Sequence, residues 1–357
     1  FQDETKQRGI ESAEWNGDMS VSDIDRDGDL DFYVSNMFGT NHLFENKGSG
    51  QFREITDTSL VRTSWGGMGA RFFDANDDEW PDLYVVDMHS DMWTKQDSLK
   101  EVQEKEKFNT PLGTSVGGGK LIQRNEDSQS KATLFGNTYF ENQGSLKFVE
   151  RSREVGLENW WPWGITVGDF DNDGHEDIYV PMGMGFPYPY WPNKLLHNEH
   201  GKFVDVAKAA GVEPPAGGET IPGKLISGKS MSRSSRAAAV ADFDQDGDLD
   251  IVVANFNAPP YLLRNDSPPQ HALRLQLVDK NGRPSFGARV RVAAGNRVIH
   301  RELANAGGYL TQSSAILHIG IGAATKVDRI DVDYPGGPHT FAMENPALGE
   351  VVRVVRP

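Results

Sequence analysis

The fold is decided by the nine-residue stretch Asp23-Ile24-Asp25-Arg26-Asp27-Gly28-Asp29-Leu30-Asp31, because its pattern recurs along the chain. It returns at residues 169–177 and 242–250, and a degenerate copy at residues 74–82 has Glu79 where the others have glycine. These four windows hold 20 of the 52 acidic residues. Carboxylates packed this densely repel one another unless a cation lies among them. The repeat therefore predicts four metal-binding loops.

Calcium is the metal that this pattern favours. Ca²⁺ accepts about six to eight oxygen ligands in a flexible geometry, whereas Mg²⁺ requires a near-ideal octahedron. Side chains at positions 1, 3, 5 and 9 and the backbone carbonyl at position 7 would supply these oxygens, and glycine at position 6 allows a sharp turn. The predicted ligands are Asp23, Asp25, Asp27, Asp29 and Asp31; Asp74, Asn76, Asp78, Trp80 and Asp82; Asp169, Asp171, Asp173, His175 and Asp177; Asp242, Asp244, Asp246, Asp248 and Asp250.

We expect about four calcium sites, with a weaker one at Glu79. The alternative interpretation is that the windows are acidic turns exposed to solvent, and it applies most to the copy with Glu79.

Strand signals flank every loop, which distinguishes the pattern from a helix-loop-helix calcium site. A β-rich run follows each ninth position, for example Phe32-Tyr33-Val34 and Ile178-Tyr179-Val180. A second string then recurs, ending in Asn46, Asn142, Asn198 and Asn265. In three copies a further strand signal begins at Phe52, Phe148 or Phe203. Units of strand, loop, strand, turn and strand bury their faces by stacking, either radially as propeller blades or linearly as a solenoid.

Residues 1–265 resemble the FG-GAP/VCBS type of calcium-binding β-propeller repeat. The resemblance implies an all-β fold, with a calcium-binding propeller over residues 1–266. Successive motifs begin at residues 23, 74, 169 and 242, and we interpret the longest interval as containing an insertion at about residues 87–134. The blade number stays open: either N-terminal blades are missing or a small ring closes.

A different pattern begins after Ser267-Pro268-Pro269. Apolar and polar residues alternate around Leu275, Val290, Val332 and Val351–Val355, which predicts half-buried antiparallel strands. We expect residues 267–357 to form a small β-sandwich or barrel. Arg274, Arg289 and Arg291 would lie on its polar face, either docked on the acidic repeats, exposed to solvent or facing an anionic glycan.

This C-terminal segment resembles the ASPIC/UnbV domain. The residues that carry the resemblance are Gly287-Ala288-Arg289-Val290, Gly307-Gly308-Tyr309-Leu310-Thr311-Gln312-Ser313, His318-Ile319-Gly320-Ile321-Gly322 and Val332-Asp333-Tyr334-Pro335-Gly336-Gly337. Tyr334 stands where the family usually has Trp, and Ile321 where it has Leu. Together the two resemblances identify a protein similar to the cartilage acidic protein family. They imply an exported protein, located outside the cell, in the periplasm or on the cell surface.

Composition excludes several classes of protein. The chain has 357 residues and no cysteine, so disulfide scaffolds and thiolate zinc sites are excluded. A net charge of −16 argues against nucleic acid as a partner. No apolar run approaches the roughly 20 residues of a membrane-spanning helix. Because the chain opens at Phe1, we expect that a signal or further sequence has been removed.

Aromatic residues are the candidate ligand surface. Phe186, Tyr188, Tyr190 and Trp191 lie in a proline-rich stretch and could bind a glycan or a protein, or pack internally. Trp160, Trp161 and Trp163 form a second cluster, for which packing is the favoured interpretation. Trp15 and Trp65 precede calcium motifs as Trp163 does, so we expect all three to pack within blades.

The sequence carries no catalytic signature, so no catalytic residue is assigned. Met88-His89-Ser90-Asp91-Met92-Trp93 places His, Ser and Asp together but lacks a nucleophile-elbow context. Three hypotheses remain: a calcium-stabilised binding or adhesion module for an extracellular glycan or matrix protein, an extracellular enzyme with its site in the propeller funnel, and a structural module of a longer protein. Several carboxyls with shifted pKa outside the loops would favour the enzyme, and an exposed aromatic patch would favour the binding module.

Overall fold

The structure is a computed structural model. It describes residues 1–10, 15–88, 133–159, 161–183, 192–213, 234–256, 258–267, 270–304, 307–336 and 339–357. The prediction of an all-β fold is confirmed, since the helices among these described residues are a single-turn 3-10 helix and two short α-helices. These helices are Lys6–Arg8, α1 (Thr56–Ser59) and α2 (Ser152–Val155).

The first acidic loop joins the first two strands of an antiparallel four-stranded sheet. The strands follow one another in chain order, so each pairs with the next. They are β1 (Asn16–Ser22), β2 (Asp31–Asn36), β3 (His42–Asn46) and β4 (Phe52–Glu54). The predicted strand signal at Phe52 is thus the fourth strand of the unit.

The other three loops occupy the same place in three further sheets. The second and third sheets have four strands, whereas the described part of the fourth sheet has three. The second sheet contains β6 (Gly67–Phe73), β7 (Asp82–Asp87), β9 (Thr138–Asn142) and β10 (Phe148–Glu150). The third contains β11 (Thr166–Gly168), β12 (Asp177–Val180), β13 (Lys194–Asn198) and β14 (Phe203–Asp205), and the fourth β15 (Ser235–Ala241), β16 (Asp250–Asn255) and β17 (Tyr261–Leu263).

The long interval between the second and third motifs lies within one sheet. β7 ends at Asp87 and pairs directly with β9, which begins at Thr138. A small parallel pair, β5 (Thr63–Ser64) and β8 (Thr133–Leu134), lies beside it. Most of the predicted insertion, residues 89–132, is outside the described residues.

Neighbouring sheets pack face to face through apolar side chains. Leu43 and Leu60 meet Phe72 and Leu83 between the first and second sheets. Two similar clusters follow between the second and third sheets and between the third and fourth. The three interfaces are therefore of one kind, repeated along the chain.

The C-terminal region forms two further sheets around a core of its own. One contains β18 (Ala272–Val278), β21 (Leu317–Gly320) and β24 (Val351–Val355); the other contains β19 (Arg289–Ala294), β20 (Arg297–Glu302), β22 (Arg329–Tyr334) and β23 (His339–Glu344). The four strands predicted from alternation are confirmed. The prediction that all are antiparallel is wrong for β24, which pairs in parallel with β18. Alternation fixes the buried face of a strand and not its direction.

A segment of this C-terminal region, Gly307–Ser314, touches the first strand of every repeat sheet. Asp18 of β1 accepts hydrogen bonds at Oδ2 from the Gly308 and Tyr309 amides, at 2.9 and 2.8 Å. The Gly308 amide also donates to the Ala70 carbonyl of β6 at 3.1 Å. Its carbonyl accepts from the Ile165 amide, just before β11, and Ser314 donates to Val240 of β15. The segment thus ties all four sheets to the C-terminal region.

Gly308 has to be glycine. Its φ is +94°, and a Cβ there would collide with the Ile165 carbonyl. Among the described residues, no helix is long and apolar enough to cross a membrane.

Candidate metal centres and the opposite end of the sheets

The four acidic loops share one backbone conformation. In each, the residues at positions 4 and 6 have positive φ. Glycine takes position 6 in three loops at little cost, but Glu79 takes it at φ 74°. A left-handed conformation costs a non-glycine residue roughly 1–2 kcal/mol. The degenerate loop therefore retains the turn despite its strain.

The first Asp of each loop holds this turn through one carboxylate oxygen. Oδ2 of Asp23, Asp74, Asp169 and Asp242 accepts a hydrogen bond from the position-6 amide, at 2.9 to 3.2 Å. Position 5 acts similarly, because its Oδ1 accepts from the position-7 amide in every loop. These bonds fix the direction in which the remaining oxygens point.

The second oxygen of the first Asp distinguishes the loops. Oδ1 of Asp23, Asp169 and Asp242 is buried and has no hydrogen-bond partner. In the loop with Glu79, Oδ1 of Asp74 accepts a hydrogen bond from the Asp78 amide at 3.1 Å. A buried carboxylate oxygen without a partner is unfavourable. Among the four loops, the three with glycine therefore hold a buried carboxylate oxygen without a hydrogen-bond partner.

Carboxylates converge around these oxygens. One oxygen from each member of three sets lies within 4.8 Å of the others. The sets are Asp23, Asp25 and Asp27; Asp169, Asp171 and Asp177; and Asp242, Asp244 and Asp246. Within the described ranges, the carboxylates of Asp74, Asp78 and Asp82 do not form such a set. The position-7 residues Asp29, Trp80, His175 and Asp248 are also outside these sets, as are the predicted side-chain ligands Asp31, Asp173 and Asp250.

The ninth Asp mainly supports the loop. Its Oδ2 accepts a hydrogen bond from the position-2 amide, and its Oδ1 accepts one from the amide of the Asn that recurs at the third strand. Asp31, for example, accepts from Ile24 at 2.9 Å and from Asn46 at 2.7 Å. Asp82, Asp177 and Asp250 repeat both contacts. Position 9 is thus a structural anchor in all four loops.

The third-strand Asn also links neighbouring sheets, a role that sequence reasoning missed. Nδ2 of Asn142 donates to the Ile24 carbonyl of the preceding loop at 3.0 Å. Asn198 reaches Ala75 at 2.8 Å and Asn265 reaches Phe170 at 2.6 Å in the same way. The recurring Asn was visible in the sequence, but its partner is a backbone carbonyl with no sequence signal.

The C-terminal region contacts the first Asp of each loop that contains glycine. Arg289 pairs with Oδ2 of Asp23 at 2.9 Å, Arg274 pairs with Oδ2 of Asp242, and the Gly320 amide donates to Oδ2 of Asp169 at 3.0 Å. The prediction that basic residues dock on the acidic repeats is confirmed for Arg274 and Arg289. Arg291 instead faces Asp331 of its own region at 3.5 Å.

Burial raises the pKa of several loop carboxyls. Loss of solvation raises the pKa of Asp31 to about 8 and that of Asp74 to about 7. The same cause raises the pKa of Asp169 well above its usual value, although the charge of Arg301 opposes it. The negative charge of these loops is therefore unfavourable in the absence of a cation.

Aromatic side chains gather at the opposite end of the sheets. Trp15, Trp65 and Trp163 precede first strands, and Phe38 and Phe256 follow second strands, so they lie away from the acidic loops. The prediction of packing is confirmed for Trp163, which contacts Tyr309 and Arg236. It is wrong for Trp15, which is 69% exposed. Trp15 meets Phe38 edge-on, with ring centroids 5.8 Å apart.

Other predicted aromatic residues are only partly described. Trp161 is buried, as the packing interpretation predicts. Trp160, Phe186, Tyr188, Tyr190 and Trp191 lie outside the described residues, as do residues 89–93. The chain enters the stretch that contains Phe186 after Gly183, at the same end of the third sheet as Trp163.

Known family models match both the acidic repeats and the C-terminal segment. A family model of the FG-GAP-like repeat matches residues 23–85 and 125–180, and a model of ASPIC and UnbV matches residues 278–357. Cartilage acidic protein 1 of Mus musculus and of Homo sapiens are each 31% identical over 120 residues, which is 33% of this chain and 15% of each of those proteins. The Xenopus tropicalis protein is 29% identical over 147 residues, covering 41% of this chain and 18% of that protein.

The chain thus spans less than a fifth of the length of the curated relatives it matches. The matched segments contain the first three acidic loops and all but the first strand of the C-terminal sheets. The chain carries FG-GAP-like repeats followed by an ASPIC and UnbV domain.

Proposed function

We propose that this chain is an extracellular calcium-binding module of the propeller type, which binds a glycan or a matrix protein at the end of its sheets opposite the acidic loops. The observation that carries the proposal is the unpartnered, buried Oδ1 of Asp23, Asp169 and Asp242. Each belongs to a set of three converging carboxylates.

The donor sets fit calcium. They consist of carboxylate oxygens, which a hard cation prefers, with the position-7 carbonyl nearby in sequence. Positions 1, 3 and 5 would hold the ion in the first and fourth loops, and positions 1, 3 and 9 in the third, where Asp169, Asp171 and Asp177 converge. Bound calcium would add to the positive charge that Arg289 and Arg274 already bring to Asp23 and Asp242. The loop with Glu79 would bind weakly, because Asp74 already uses Oδ1 within the loop.

A propeller arrangement is supported by the packing of the sheets. Successive sheets pack face to face, and the first strand of each one meets the segment Gly307–Ser314. Inner strands that converge on a common line are what radial stacking requires. The four sheets would then be blades, with this segment on their axis.

The ligand surface is proposed for the aromatic end. Trp15, Phe38 and Phe256 are exposed there, and the guanidinium of Arg236 stacks on Phe256 at 4.8 Å. Exposed rings offer flat apolar faces to the C–H groups of sugars and to proline. The predicted contribution of Phe186, Tyr188, Tyr190 and Trp191 would extend this surface.

An extracellular location is supported by the similarity to cartilage acidic protein 1. It also agrees with the ligand chemistry, because extracellular calcium modules bind at about millimolar free calcium.

The enzyme alternative is less well supported. Glu302 is a buried carboxyl outside the loops, and burial raises its pKa to about 7. However, its Oε2 accepts a hydrogen bond from Ser22 at 2.7 Å, which holds it within the contact between the two regions. Glu176, whose pKa burial also raises, lines a cavity together with Glu302, but it belongs to the third loop, which leaves Glu302 as the one described carboxyl with a raised pKa outside the loops.

The test combines metal analysis with a ligand screen. The calcium-loaded chain is screened on glycan and matrix-protein arrays, together with Trp15→Ala and the matched control Val204→Ala, which removes an exposed apolar side chain from β14. We expect bound calcium, and a ligand signal that Trp15→Ala weakens and Val204→Ala does not. A chain that binds no calcium at millimolar free metal would contradict the calcium sites, and equal loss in both variants would contradict the surface.

A further inference from the structure

The third strand of each repeat sheet has a variable residue directly before the recurring Asn. Because the amide of that Asn is bonded to the ninth Asp, the residue before it lies close to the acidic loop. In the third sheet this residue is a histidine, whereas the other sheets have an acidic or a basic residue. The four residues are Glu45, Glu141, His197 and Arg264.

The ring of His197 points into the third loop. Its Nδ1 lies 3.1 Å from Oδ1 of Asp177 and 3.6 Å from Oδ2 of Asp171. His197 also forms a set with Asp171 and Asp173, whose ligand atoms all lie within 4.8 Å of one another. Asp171 belongs as well to the set with Asp169 and Asp177. The histidine nitrogen and the loop carboxylates therefore converge on one place.

These separations suit neighbouring ligands of one transition-metal ion. A zinc ion lies about 2.0–2.2 Å from nitrogen and oxygen ligands, so adjacent ligand atoms are roughly 3–3.6 Å apart. The two distances from Nδ1 of His197, 3.1 and 3.6 Å, fall in this range. The side chain of His197 is 26% exposed, so water can accept the Nε2 proton that a ligating histidine retains.

A buried oxygen in the same loop still lacks a partner. Asp169 is fully buried, and its Oδ1 has no hydrogen-bond partner. Without a metal, a protonated His197 would balance part of the loop charge, since its hydrogen bond to Asp177 raises the pKa of the ring to about 9. That ring faces Asp171 and Asp177 and leaves Oδ1 of Asp169 without a partner. A metal ion would satisfy both the ring nitrogen and this oxygen.

A second histidine group is not suited to a metal. Asp77, His175 and His200 also have ligand atoms within 4.8 Å of one another. However, Arg297 can only donate, so its contact with Nε2 of His175 at 3.1 Å leaves the proton of that ring on Nδ1. This Nδ1 faces Asp77 at 2.6 Å as a donor and has no lone pair to offer.

The first and fourth loops lack a nitrogen donor at this position. Glu45 offers oxygens only and pairs with Lys47 at 2.7 Å and Arg53 at 2.6 Å. Arg264 has no lone pair for a metal and pairs with Asp266 at 2.9 Å. Imidazole favours zinc, copper, iron and nickel, whereas carboxylates favour magnesium, calcium and manganese. The nitrogen of His197 therefore gives the third loop a different metal preference.

We propose that the third loop is a mixed nitrogen and oxygen site, in which Nδ1 of His197 joins the converging carboxylates as a ligand of a first-row transition-metal dication of the zinc type. The inference rests on the proposed metal-binding role of the loops, and it names the metal of one of them. With calcium as the sole metal, the third loop binds calcium, because its carboxylates suit both ions. When zinc is present, the third loop takes zinc, and the first and fourth loops keep calcium.

Metal analysis after equilibrium dialysis against millimolar calcium and micromolar zinc tests this selectivity. We expect one zinc and two calcium ions per chain. His197→Glu supplies the acidic residue that the first two sheets have at this position, so three calcium ions should bind. Zinc binding should weaken by about 100-fold, because loss of even an outer hydrogen-bond partner of a ligand costs about 10- to 100-fold. His197→Gln, which adds no charge, should weaken zinc binding in the same way.

His271→Glu is the matched control. His271 is exposed and outside the metal-ligating groups of the described residues, so the substitution should change zinc affinity less than about threefold. X-ray absorption spectroscopy of the zinc-loaded chain then identifies the ligands. We expect one imidazole among oxygen ligands. Two imidazoles would place the zinc at His175 and His200 and overturn the inference.

The outcomes separate this inference from the proposed function. Zinc that binds without displacing a calcium ion, or equal effects of His197→Glu and His271→Glu, would overturn the zinc site and leave the calcium sites standing. A chain that binds one zinc through His197 but no calcium would support the zinc site and contradict the calcium sites. A chain that binds neither metal would contradict both.

Discussion

The loop of residues 169–177 and the loop of residues 74–82 form the same backbone turn. They differ in whether the first Asp keeps a carboxylate oxygen without a hydrogen-bond partner. In both, positions 4 and 6 are left-handed, Oδ2 of the first Asp accepts the position-6 amide, and the ninth Asp accepts two amides. In the first loop, Oδ1 of Asp169 is buried without a partner. In the second, Oδ1 of Asp74 is bonded to the Asp78 amide.

The comparison separates two roles of one motif. The ninth Asp and Oδ2 of the first Asp form the turn, and they do so even with Glu79 at the position that favours glycine. Oδ1 of the first Asp determines whether the turn has an oxygen to offer a metal. A degenerate copy can thus keep the structural role of the motif although its first Asp leaves no oxygen free for the proposed metal.

Removal of calcium should produce the largest effect, if the three loops with glycine bind it. Binding to the folded state alone stabilises it by about 2.7 kcal/mol per site at a hundredfold excess over Kd. We expect thermal unfolding of the chelated chain to occur at a markedly lower temperature than that of the calcium-loaded chain. Calorimetric titration should give three tight sites. An unchanged melting temperature would reject metal binding at the loops.

Two matched substitutions test the difference between the loops directly. Asp27 and Asp78 both occupy position 5, are exposed and accept the position-7 amide at 2.9 Å, so the loss of that bond costs the same in both. Asp27→Ala should remove most of the affinity of one calcium site. The free energy of unfolding in excess calcium should therefore fall by about 2 kcal/mol. Asp78→Ala should cost less than about 1 kcal/mol. Urea unfolding with and without calcium measures both, and equal losses would show that the loops do not differ.

The pH dependence of the metal-free chain sharpens the comparison. Because the folded-state pKa is raised to about 8 for Asp31 and about 7 for Asp74, the folded chain holds protons that the unfolded chain has released. Stability from these groups is complete below about pH 4 and is lost as pH rises through 7 to 8. The metal-free chain should therefore unfold more easily at pH 8 than at pH 5. Calcium should reverse this trend for the loop of Asp31, and Asp74→Asn should reduce the remaining slope. A metal-free chain that is more stable at pH 8 would contradict the raised pKa values.

Much of the loop frame could be predicted from the sequence. The nine-residue turn and its flanking strands are local properties, and local patterns predict local structure. The strands around Val290 and Val332 were predicted for the same reason.

The contacts between distant segments could not be predicted. Nothing near Asn142 indicates that it reaches the Ile24 carbonyl, and nothing near Gly308 indicates that it meets Ala70 and Ile165. The parallel pairing of β24 and the exposure of Trp15 likewise depend on which element lies next to them. Tertiary neighbours of this kind leave no periodic signal in the chain.

The smallest effect is expected for Glu79→Gly. Glycine adopts the left-handed backbone conformation of position 79 without strain, which should stabilise the fold by roughly 1 kcal/mol. The substitution also removes the contacts of Glu79 with Arg26 at 2.8 Å and with His300 at 3.1 Å. Both pairs are partly exposed and contribute little. The net change in unfolding free energy should therefore stay within about 1 kcal/mol.

The number of tight calcium sites should stay at three in Glu79→Gly, because Asp74 keeps its bond to the Asp78 amide. Calorimetric titration of the variant counts them. A fourth tight site would show that residue 79 alone separates the two kinds of loop. An unchanged count would assign the difference to Oδ1 of the first Asp, which is the oxygen that the loops with glycine leave free.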